Sequence, residues 1–232
     1  MQPYFLPYIG YWQLMSSVDT FIIYDNIQYT KKGWFNRNNI LMNGKSLMFT
    51  IPLKKDSDYL DVRERYLSEN SLNIKRKILN QIKNAYLKAP YFNDIHEKIE
   101  WCFKAWNNNG HRNLFDFIYD SVNIIINHLN IKPKIIISST VDIDHSLRSQ
   151  DKVIALCKAV DGNHYINMIN GADLYSKKDF DDNGLELSFL KQNIIEYKQF
   201  NNDFVPYLSI IDIMMFNDKK NIIEMLGKYT LH

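Results

Sequence analysis

Two short runs of β-branched and aromatic residues constrain the fold more than any other feature of the sequence. They cover residues 20–24 (TFIIY) and 134–139 (KIIISS), and each passes directly into polar residues. Runs of this length and composition are typical of strands buried on both faces, as in parallel sheets. Because open α/β sheets bind ligands outside the carboxyl ends of their strands, the polar residues after both runs are candidate site residues.

Other patterns supply the remaining elements of a sheet. Residues 164–168 and 185–189 predict two further strands, and residues 151–160 predict a helix before them that ends at Asp161 and Gly162. Asn43 and Gly44 separate two apolar runs within residues 39–51, and both tolerate the positive φ of a type I′ turn. The sequence therefore predicts an N-terminal β-hairpin beside a partly parallel sheet built from βαβ units.

Apolar residues at helical spacing predict helices at residues 73–87, 92–106 and 113–129. Pro90 would end the first of these helices, and Gly110 would cap the second. Two short helices at residues 207–216 and 221–226 would close the chain. We expect a single α/β domain over residues 1–232, with a helical subdomain at residues 70–130.

Composition excludes several classes of protein. The 232 residues, 46% of them hydrophobic, suffice for a sizeable core, and the 28 basic and 26 acidic residues alternate without the basic stripe of a nucleic-acid binder. Apolar runs fall far short of the roughly 20 residues of a membrane span, and no signal sequence is visible. We expect a soluble cytoplasmic protein with no membrane insertion. Cys102 and Cys157 suit buried helix positions, and six scattered histidines favour no metal site.

Residues 2–37 combine aromatic and polar side chains in a way that a plain amphipathic element does not. Lys32 and Arg37 could hold phosphates while Tyr29 and Trp34 stack on a base or sugar. The alternative is that the lysines lie in a solvated loop and Trp34 anchors the core. The candidate binding residues in this stretch are Gln2, Tyr4, Tyr8, Gly10, Tyr11, Gln28, Tyr29, Lys31, Lys32, Trp34, Asn36 and Arg37.

The two strand ends supply the candidate catalytic residues. Asp25 follows the first run and would act as a base toward an amine or hydroxyl if it lies in a cleft. His145 follows the second run and is the other candidate base, with Arg148 as a nearby binding residue. The polar loop at residues 167–175 adds Asn170 and Tyr175 as candidate binding residues.

The segment from Tyr8 to Tyr11 has the spacing of the His-x-Gly-His turn with which nucleotidyl-transferring α/β enzymes hold ATP phosphates. Both histidine positions are tyrosines here, and tyrosine donates hydrogen bonds without becoming a cation at neutral pH. That substitution weakens the case for adenylylation. The alternative is that Tyr8 and Tyr11 pack the first helix.

Four blocks of this sequence, at residues 2–14, 18–40, 148–175 and 197–217, resemble the WbqC-like family in the same order. That family occurs among bacterial genes for O-antigen lipopolysaccharide and other surface polysaccharides, and some members have been suggested to attach glycine or another acyl group to an amino sugar. The chain departs from the family in two places. A short apolar strand usually precedes Gln2 in the family, so the start is either clipped or lacks that strand. Asn170 and Gly171 stand where relatives often carry a glycine-rich turn.

The resemblance and the residues together predict a transferase that attaches an acyl or aminoacyl group to the amino group of a nucleotide-linked sugar. Lys32 and Arg37 would hold the diphosphate, and Asp25 or His145 would take the proton of the amine. Its partners would be that sugar nucleotide and an acyl or aminoacyl donor, with a charged tRNA as the one nucleic acid left open. No cofactor follows from the sequence. The alternatives are an ATP-using nucleotidyl transferase or ligase, and a non-catalytic partner of a polysaccharide assembly complex.

Overall fold

The computed structural model describes residues 1–68, 72–104, 106 and 112–232. Within them the chain is a mixture of helices and short strands. The helices are α1 Ile9–Ser16, α2 Leu72–Tyr86, α3 Phe92–Lys104, α4 Leu114–Leu129, α5 Ser149–Ala159, α6 Lys177–Asp182, α7 Ile210–Phe216 and α8 Lys219–Leu226. The strands are β1 Thr20–Ile23, β2 Arg37–Met42, β3 Lys45–Thr50, β4 Lys134–Ile137, β5 His164–Met168, β6 Glu186–Gln192 and β7 Tyr229–Leu231. None of these helices is long and apolar enough to cross a membrane.

The described strands form three small sheets instead of the single sheet that we expected. β1 pairs in parallel with β4, β2 pairs antiparallel with β3, and β6 lies between a parallel β5 and an antiparallel β7. Parallel pairing is therefore confirmed, whereas one continuous βαβ sheet is not. The free side of β1 is bonded to Met1, which donates to the carbonyl of Ile22 at 2.7 Å and accepts from the N–H of Tyr24 at 2.8 Å. β5 belongs to a different sheet from β1.

Local patterns located most elements within one or two residues. Asn43 and Gly44 have φ values of 51° and 71°, so the predicted hairpin turn is confirmed. The three predicted helices correspond to α2, α3 and α4, and Asn113 caps α4 by accepting the N–H of Phe115 at 2.8 Å. Gly110, the predicted cap of α3, lies outside the described residues.

Some elements differ from the prediction at the carboxyl-terminal end of the chain. The predicted helix at residues 207–216 begins later, at Ile210, because Tyr207 has a left-handed backbone with φ of 58° and Ser209 caps the helix. Helix α6 and strand β7 were missed, since both are short and carry no clear periodicity.

The opening segment passes through the middle of the protein. The ring of Phe5 stacks on Phe117 with centroids 4.9 Å apart and meets Phe103 edge-on at 5.5 Å. These contacts join the amino terminus to α3 and α4, so the helical region shares its hydrophobic core with the strands. The separation of residues 70–130 as a subdomain stays a prediction.

A buried carboxylate ties the end of the chain to this core. Asp212 in α7 is fully buried and accepts hydrogen bonds from Tyr86 at 2.8 Å, from Tyr197 at 2.6 Å and from Gln199 at 2.6 Å. Burial raises the pKa of Asp212, and the three donors act in the opposite direction. The hydroxyl of Tyr86 also accepts the N–H of Leu41, so α2, α7 and the hairpin depend on one network.

Tyr86→Phe should lower the free energy of unfolding by about 1.5–3 kcal/mol, because it removes a hydrogen bond to a buried charged group. The loss should be larger at neutral pH than in acid, since the ionised carboxylate depends on its donors more than the protonated one does. Urea unfolding of both proteins at several pH values measures it.

Tyr91→Phe, on a partly exposed tyrosine, is the matched control and should change stability by less than about 0.5 kcal/mol. Equal losses in the two variants would contradict the role assigned to the Asp212 network.

Candidate functional site

Polar groups from β1 and β4 converge where these two strands end. Parallel register places Ile23 beside Ile137, so the residues that follow both strands meet. The hydroxyl of Ser138 and the backbone N–H of Ser139 each lie 2.9 Å from Oδ1 of Asp25. Asp25 is only 3% exposed, and within the described residues no group donates a hydrogen bond to its Oδ2. One carboxylate oxygen is thus fixed, and the other remains available.

The same serine connects Asp25 to a histidine. The Oγ of Ser138 lies 2.5 Å from Oδ1 of Asn26, and Nδ2 of Asn26 lies 3.0 Å from Nδ1 of His145. The other ring nitrogen, Nε2, lies 3.0 Å from the carbonyl oxygen of Val141. Because a carbonyl oxygen only accepts, Nε2 of His145 carries a proton. Asp25, Ser138, Asn26 and His145 therefore form one hydrogen-bonded chain.

Ser138 has one hydroxyl proton and two acceptors within reach, Oδ1 of Asp25 and Oδ1 of Asn26. It can therefore donate to only one of them at a time. The backbone N–H of Ser139 donates to Oδ1 of Asp25 in either case.

A buried lysine lies next to this chain. Lys152 in α5 is 3% exposed; its Nζ donates to the carbonyl oxygen of His145 at 3.3 Å and lies 5.0 Å from the ring centroid of Tyr24. Burial lowers the pKa of Lys152, and the positive charge of Arg148 lowers it further. The negative charge of Asp61 acts in the opposite direction. A cationic group with one long hydrogen bond is poorly satisfied, so this ammonium is suited to contact an anion.

The 3₁₀ turn at Val62–Glu64 covers the site from another side. The N–H of Val62 donates to Ile27 at 2.9 Å, and the N–H of Arg63 donates to the carbonyl of Asp25 at 3.3 Å. Nε of Arg63 lies 3.7 Å from a carboxylate oxygen of Asp61. Burial raises the pKa of Asp61, and the neighbouring Glu64 carboxylate raises it further. The positive charges of Arg63 and Lys152 lower it. The turn and its cap thus carry one cation, Arg63, and two carboxylates, Asp61 and Glu64.

Tyrosines from the second parallel pair complete the site. The hydroxyls of Tyr165 and Tyr175 lie 3.2 Å apart, and Nδ2 of Asn167 donates to Tyr175 at 3.1 Å. Burial raises the pKa of Tyr24, whose hydroxyl lies within electrostatic range of Arg148 and Tyr175. We refer to the whole as the carboxyl-end cluster. It consists of Tyr24, Asp25, Asn26, Asp61, Arg63, Ser138, His145, Arg148, Lys152 and Tyr175.

Two predicted ligand-binding residues of the opening stretch are engaged inside the protein. Tyr29 is buried and donates to Oδ1 of Asn36 at 3.1 Å, and Nδ2 of Asn36 donates to the carbonyl of Ile51 at 2.7 Å. The guanidinium of Arg65 lies 4.8 Å from the ring centroid of Tyr29. These contacts leave neither residue facing a ligand, so their observed role is to join the loop after β1 to the hairpin.

The two lysines of this loop lie on the surface, whereas Arg37 at the start of β2 is partly buried. Lys31 forms an ion pair with Asp58 at 2.9 Å, and both side chains are largely exposed. Arg37 donates to the carbonyl oxygen of Lys32 and lies 5.4 Å from the ring centroid of Trp34, which is 40% exposed. The alternative stated above had two parts, a solvated lysine loop and a Trp34 that anchors the core. The lysines do lie in a solvated loop, but Trp34 is exposed and does not anchor the core. Gln28 donates to the carbonyl of Asp58 at 3.0 Å and closes the same loop.

The structure does not present the turn from Tyr8 to Tyr11 to a nucleotide. Tyr11 is fully buried, with its ring 5.4 Å from Phe21. A Cβ atom on Gly10 would lie 2.4 Å from the ring of Tyr8, so the close approach that glycine permits is already used by Tyr8. The packing interpretation holds for Tyr11. Elsewhere, Tyr4 donates to Gln2 at 2.9 Å, and Asn170 is exposed in the 3₁₀ turn after β5.

Comparison with known proteins gives the relationship of the chain but not its activity. A sequence model of the WbqC-like protein family matches residues 2–224. The chain belongs to the WbqC-like protein family. A similar protein, the "Uncharacterized protein Rv1507c" of Mycobacterium tuberculosis, is 24% identical over 216 residues, which cover 92% of this chain and 90% of that protein. No solved structure matches the chain.

Several residues of the carboxyl-end cluster in this WbqC-like protein were not found from the sequence. Tyr24 directly precedes Asp25 and could have been found as the last residue of its strand. Lys152, Asp61 and Arg63 carry no such signal, because a lysine in a helix and charges in an aperiodic segment resemble solvated surface. Across the ranges that the structure describes, no three His, Cys, Asp or Glu residues are grouped to hold a metal ion.

Adjacent serines test the hydrogen-bonded chain. Ser138→Ala should lower the free energy of unfolding by about 1–3 kcal/mol, because Asp25 and Asn26 lose a shared buried partner. Ser139→Ala should have almost no effect, since Ser139 bonds Asp25 through its backbone. Chemical denaturation of the two variants measures the difference. If the two serines prove equally sensitive, the chain does not exist as described.

Proposed function

We propose that this WbqC-like protein is a transferase of bacterial surface-polysaccharide biosynthesis, O-antigen lipopolysaccharide included, that attaches an acyl or aminoacyl group to the amino group of a nucleotide-linked sugar. Family membership supports the setting of the proposal. One observation supports the chemistry: Asp25 and His145, joined by hydrogen bonds through Ser138 and Asn26, lie beside Lys152. Such a site can accept a proton and bind an anion together.

The diphosphate of the sugar nucleotide would bind to cations of the carboxyl-end cluster. Arg148 and Arg63 lie within electrostatic range of Lys152, with Asp25 and Asp61 as the opposing charges. Arginine and lysine side chains suit a diphosphate because each can form charge-assisted hydrogen bonds with phosphate oxygens. We assign the diphosphate to Arg148 and Lys152 in preference to Lys32 and Arg37, whose loop is solvated and whose guanidinium is engaged with the backbone.

Asp25 would act as the base for the sugar amine. The amine nitrogen attacks the carbonyl carbon of the donor, its proton passes to Oδ2 of Asp25, and a new carbon–nitrogen bond forms. The bond to the donor's leaving group breaks, and that group departs with the electron pair. The link through Ser138 and Asn26 lets His145 balance the charge of Asp25 as the proton arrives. The donor would be an acyl thioester or a charged tRNA, and the reaction would take place in the cytoplasm.

Two other functions receive less support. An ATP-using nucleotidyl transferase or ligase would need the turn from Tyr8 to Tyr11 to contact phosphates, but Tyr11 is buried and Tyr8 fills the space beside Gly10. A non-catalytic partner of a polysaccharide assembly complex would have no need of a hydrogen-bonded chain of polar side chains beside a buried lysine. These alternatives are separated by the measurements that follow.

Sugar nucleotides carrying a free amino group should raise the melting temperature of the wild-type protein in a thermal-shift screen. Arg148→Ala should weaken the binding by about tenfold or more, because a charge-assisted contact to phosphate is lost. The double variant Lys32→Ala/Arg37→Ala should bind almost as the wild type does. Calorimetry on the same ligands gives the affinities. If the double variant loses more affinity than Arg148→Ala, the diphosphate binds to Lys32 and Arg37 instead.

Asp25→Asn should retain binding of the sugar nucleotide and lose transfer, because asparagine keeps the shape of the side chain but accepts no proton. Single-turnover transfer of a labelled acyl group to the amino sugar, followed by mass spectrometry, measures the rate. Transfer at the wild-type rate would eliminate Asp25 as the base. A wild-type protein that binds no sugar nucleotide but co-purifies with a glycosyltransferase would overturn the proposed function in favour of the non-catalytic partner.

A further inference from the structure

The side-chain amide of Asn167 in β5 has a fixed orientation. Its Oδ1 accepts the N–H of Met168 at 2.8 Å, so Nδ2 is the atom that faces the phenolic oxygen of Tyr175, at 3.1 Å. A reversed amide would place two donors against each other at Met168. Nδ2 of Asn167 therefore donates to Tyr175, and this bond does not use the hydroxyl proton of Tyr175.

The neighbouring hydroxyl of Tyr165 lies 3.2 Å from that of Tyr175. Two hydroxyls carry two protons, but only one proton can lie between two oxygen atoms. Over the residues that the structure describes, neither hydroxyl has another acceptor within hydrogen-bond distance. One phenolic proton of this pair is consequently without an acceptor inside the described part of the protein.

The unused proton is best assigned to Tyr175. The ring of Tyr165 stacks on Phe180 with centroids 5.6 Å apart, and burial raises the pKa of Tyr165 well above its ordinary value. A proton left on Tyr165 would thus be buried without an acceptor, which costs free energy. If Tyr165 donates instead, the oxygen of Tyr175 accepts two hydrogen bonds, and its own proton stays available to a ligand.

Tyr175 lies next to the cations of the carboxyl-end cluster. The backbone N–H of the following residue, Ser176, donates to Oε1 of Gln150 at 2.9 Å. Gln150 lies in the first turn of α5, midway in sequence between Arg148 and Lys152. This contact brings the segment that carries Tyr175 onto the turn of α5 that carries both cations.

Several donors on this side of the cluster have no acceptor. The hydroxyl of Tyr24 lies within electrostatic range of Tyr175 and of Arg148, and the ring centroid of Tyr24 lies 5.0 Å from Nζ of Lys152. In the described part of the chain, the hydroxyl of Tyr24 makes no hydrogen bond and Arg148 forms no ion pair. Lys152 has its single long bond to His145. A ligand that satisfies these groups must offer several acceptor oxygens.

We propose that the hydroxyl of Tyr175 donates to a phosphate oxygen of the ligand and completes, with Arg148 and Lys152, an anion site for a diphosphate. Because both lone pairs of its oxygen are occupied, this hydroxyl can only donate, and ionised phosphate oxygens only accept. The two donors to that oxygen polarise its O–H and strengthen the bond to a charged acceptor. A sugar hydroxyl would be matched less well, since its own proton would find no acceptor on Tyr175. The inference rests on the proposed function in one respect: it adds an uncharged donor to the diphosphate site assigned there.

Inorganic pyrophosphate tests the site without a sugar or an acyl group. Calorimetry should show that Tyr175→Phe weakens its binding by at least about fivefold, because a bond to a charged acceptor is lost while the ring remains. Tyr165→Phe should weaken binding less, since it removes only a donor to Tyr175. Tyr119→Phe, on a partly buried tyrosine of α4 that stacks on Phe115, is the matched control and should leave the affinity unchanged. Circular dichroism shows whether each variant is folded.

A second measurement uses the wild-type protein alone. Bound pyrophosphate should slow the nitration of Tyr175 by tetranitromethane, followed by mass spectrometry, because the phenol is then covered by the ligand. Tyr59 is largely exposed and lies outside the carboxyl-end cluster, so its nitration should not change and it serves as the internal control.

Pyrophosphate that fails to bind the wild type at millimolar concentration would overturn the proposal, as would equal affinity in the wild type and Tyr175→Phe. A larger loss in Tyr165→Phe than in Tyr175→Phe would show that the free proton belongs to the other tyrosine and would overturn it as well. Binding that depends on Tyr175, in a protein that transfers no acyl group, would support this site and count against the proposed reaction. Acyl transfer by a protein whose pyrophosphate affinity does not depend on Tyr175 would do the reverse.

Discussion

The side-chain amide of Asn38 holds the opening segment in the centre of the protein, and the rest of the structure depends on that contact. Its Nδ2 donates to the carbonyl oxygens of Phe5 and Leu6 at 3.0 and 2.7 Å, and Ser209 donates to Leu6 at 2.7 Å. Leu6 has φ of 46°, which a leucine adopts only when its surroundings require it. Because these backbone groups are buried, losing Asn38 would leave the carbonyl of Phe5 without its donor and that of Leu6 with Ser209 alone. One asparagine thereby joins the hairpin, α7 and the amino terminus.

This central position explains where the candidate sites lie. Aromatic side chains of the opening segment fill the core, so polar groups that can meet a ligand are displaced to the two ends of that segment. At one end, the segment bonds β1 through Met1, and the carboxyl-end cluster lies where β1 stops. At the other, it turns into α1. The same stretch therefore helps to position the carboxyl-end cluster while its own aromatic side chains pack largely in the core.

Sequence patterns predicted the turns and helices that depend on neighbouring residues. They missed the contacts that depend on residues far apart in the chain. The turn at Asn43 and Gly44 and the periods of α2 to α4 are local, and they were found. Asn36 was expected to bind a ligand because a polar side chain that is free and one that is satisfied inside a core look alike in sequence, and its bond to Ile51 shows the second case. The ring of Tyr11 packs on Phe21 in the core, and its buried hydroxyl has no hydrogen-bond partner among the described residues. The sheet failed for a similar reason, since the bonds of Met1 to β1 are not encoded in any strand pattern.

In the carboxyl-end cluster too, some contacts could be predicted from the sequence and others could not. That Asp25 and His145 meet follows from parallel pairing, whereas the buried ammonium of Lys152 beside them does not follow from any pattern. The position of this ammonium matters because Nζ of Lys152 donates to the carbonyl oxygen of His145 and lies within electrostatic range of Asp25. Under the proposed function, a diphosphate bound to Lys152 would therefore lie beside the carboxylate that receives the proton of the amine.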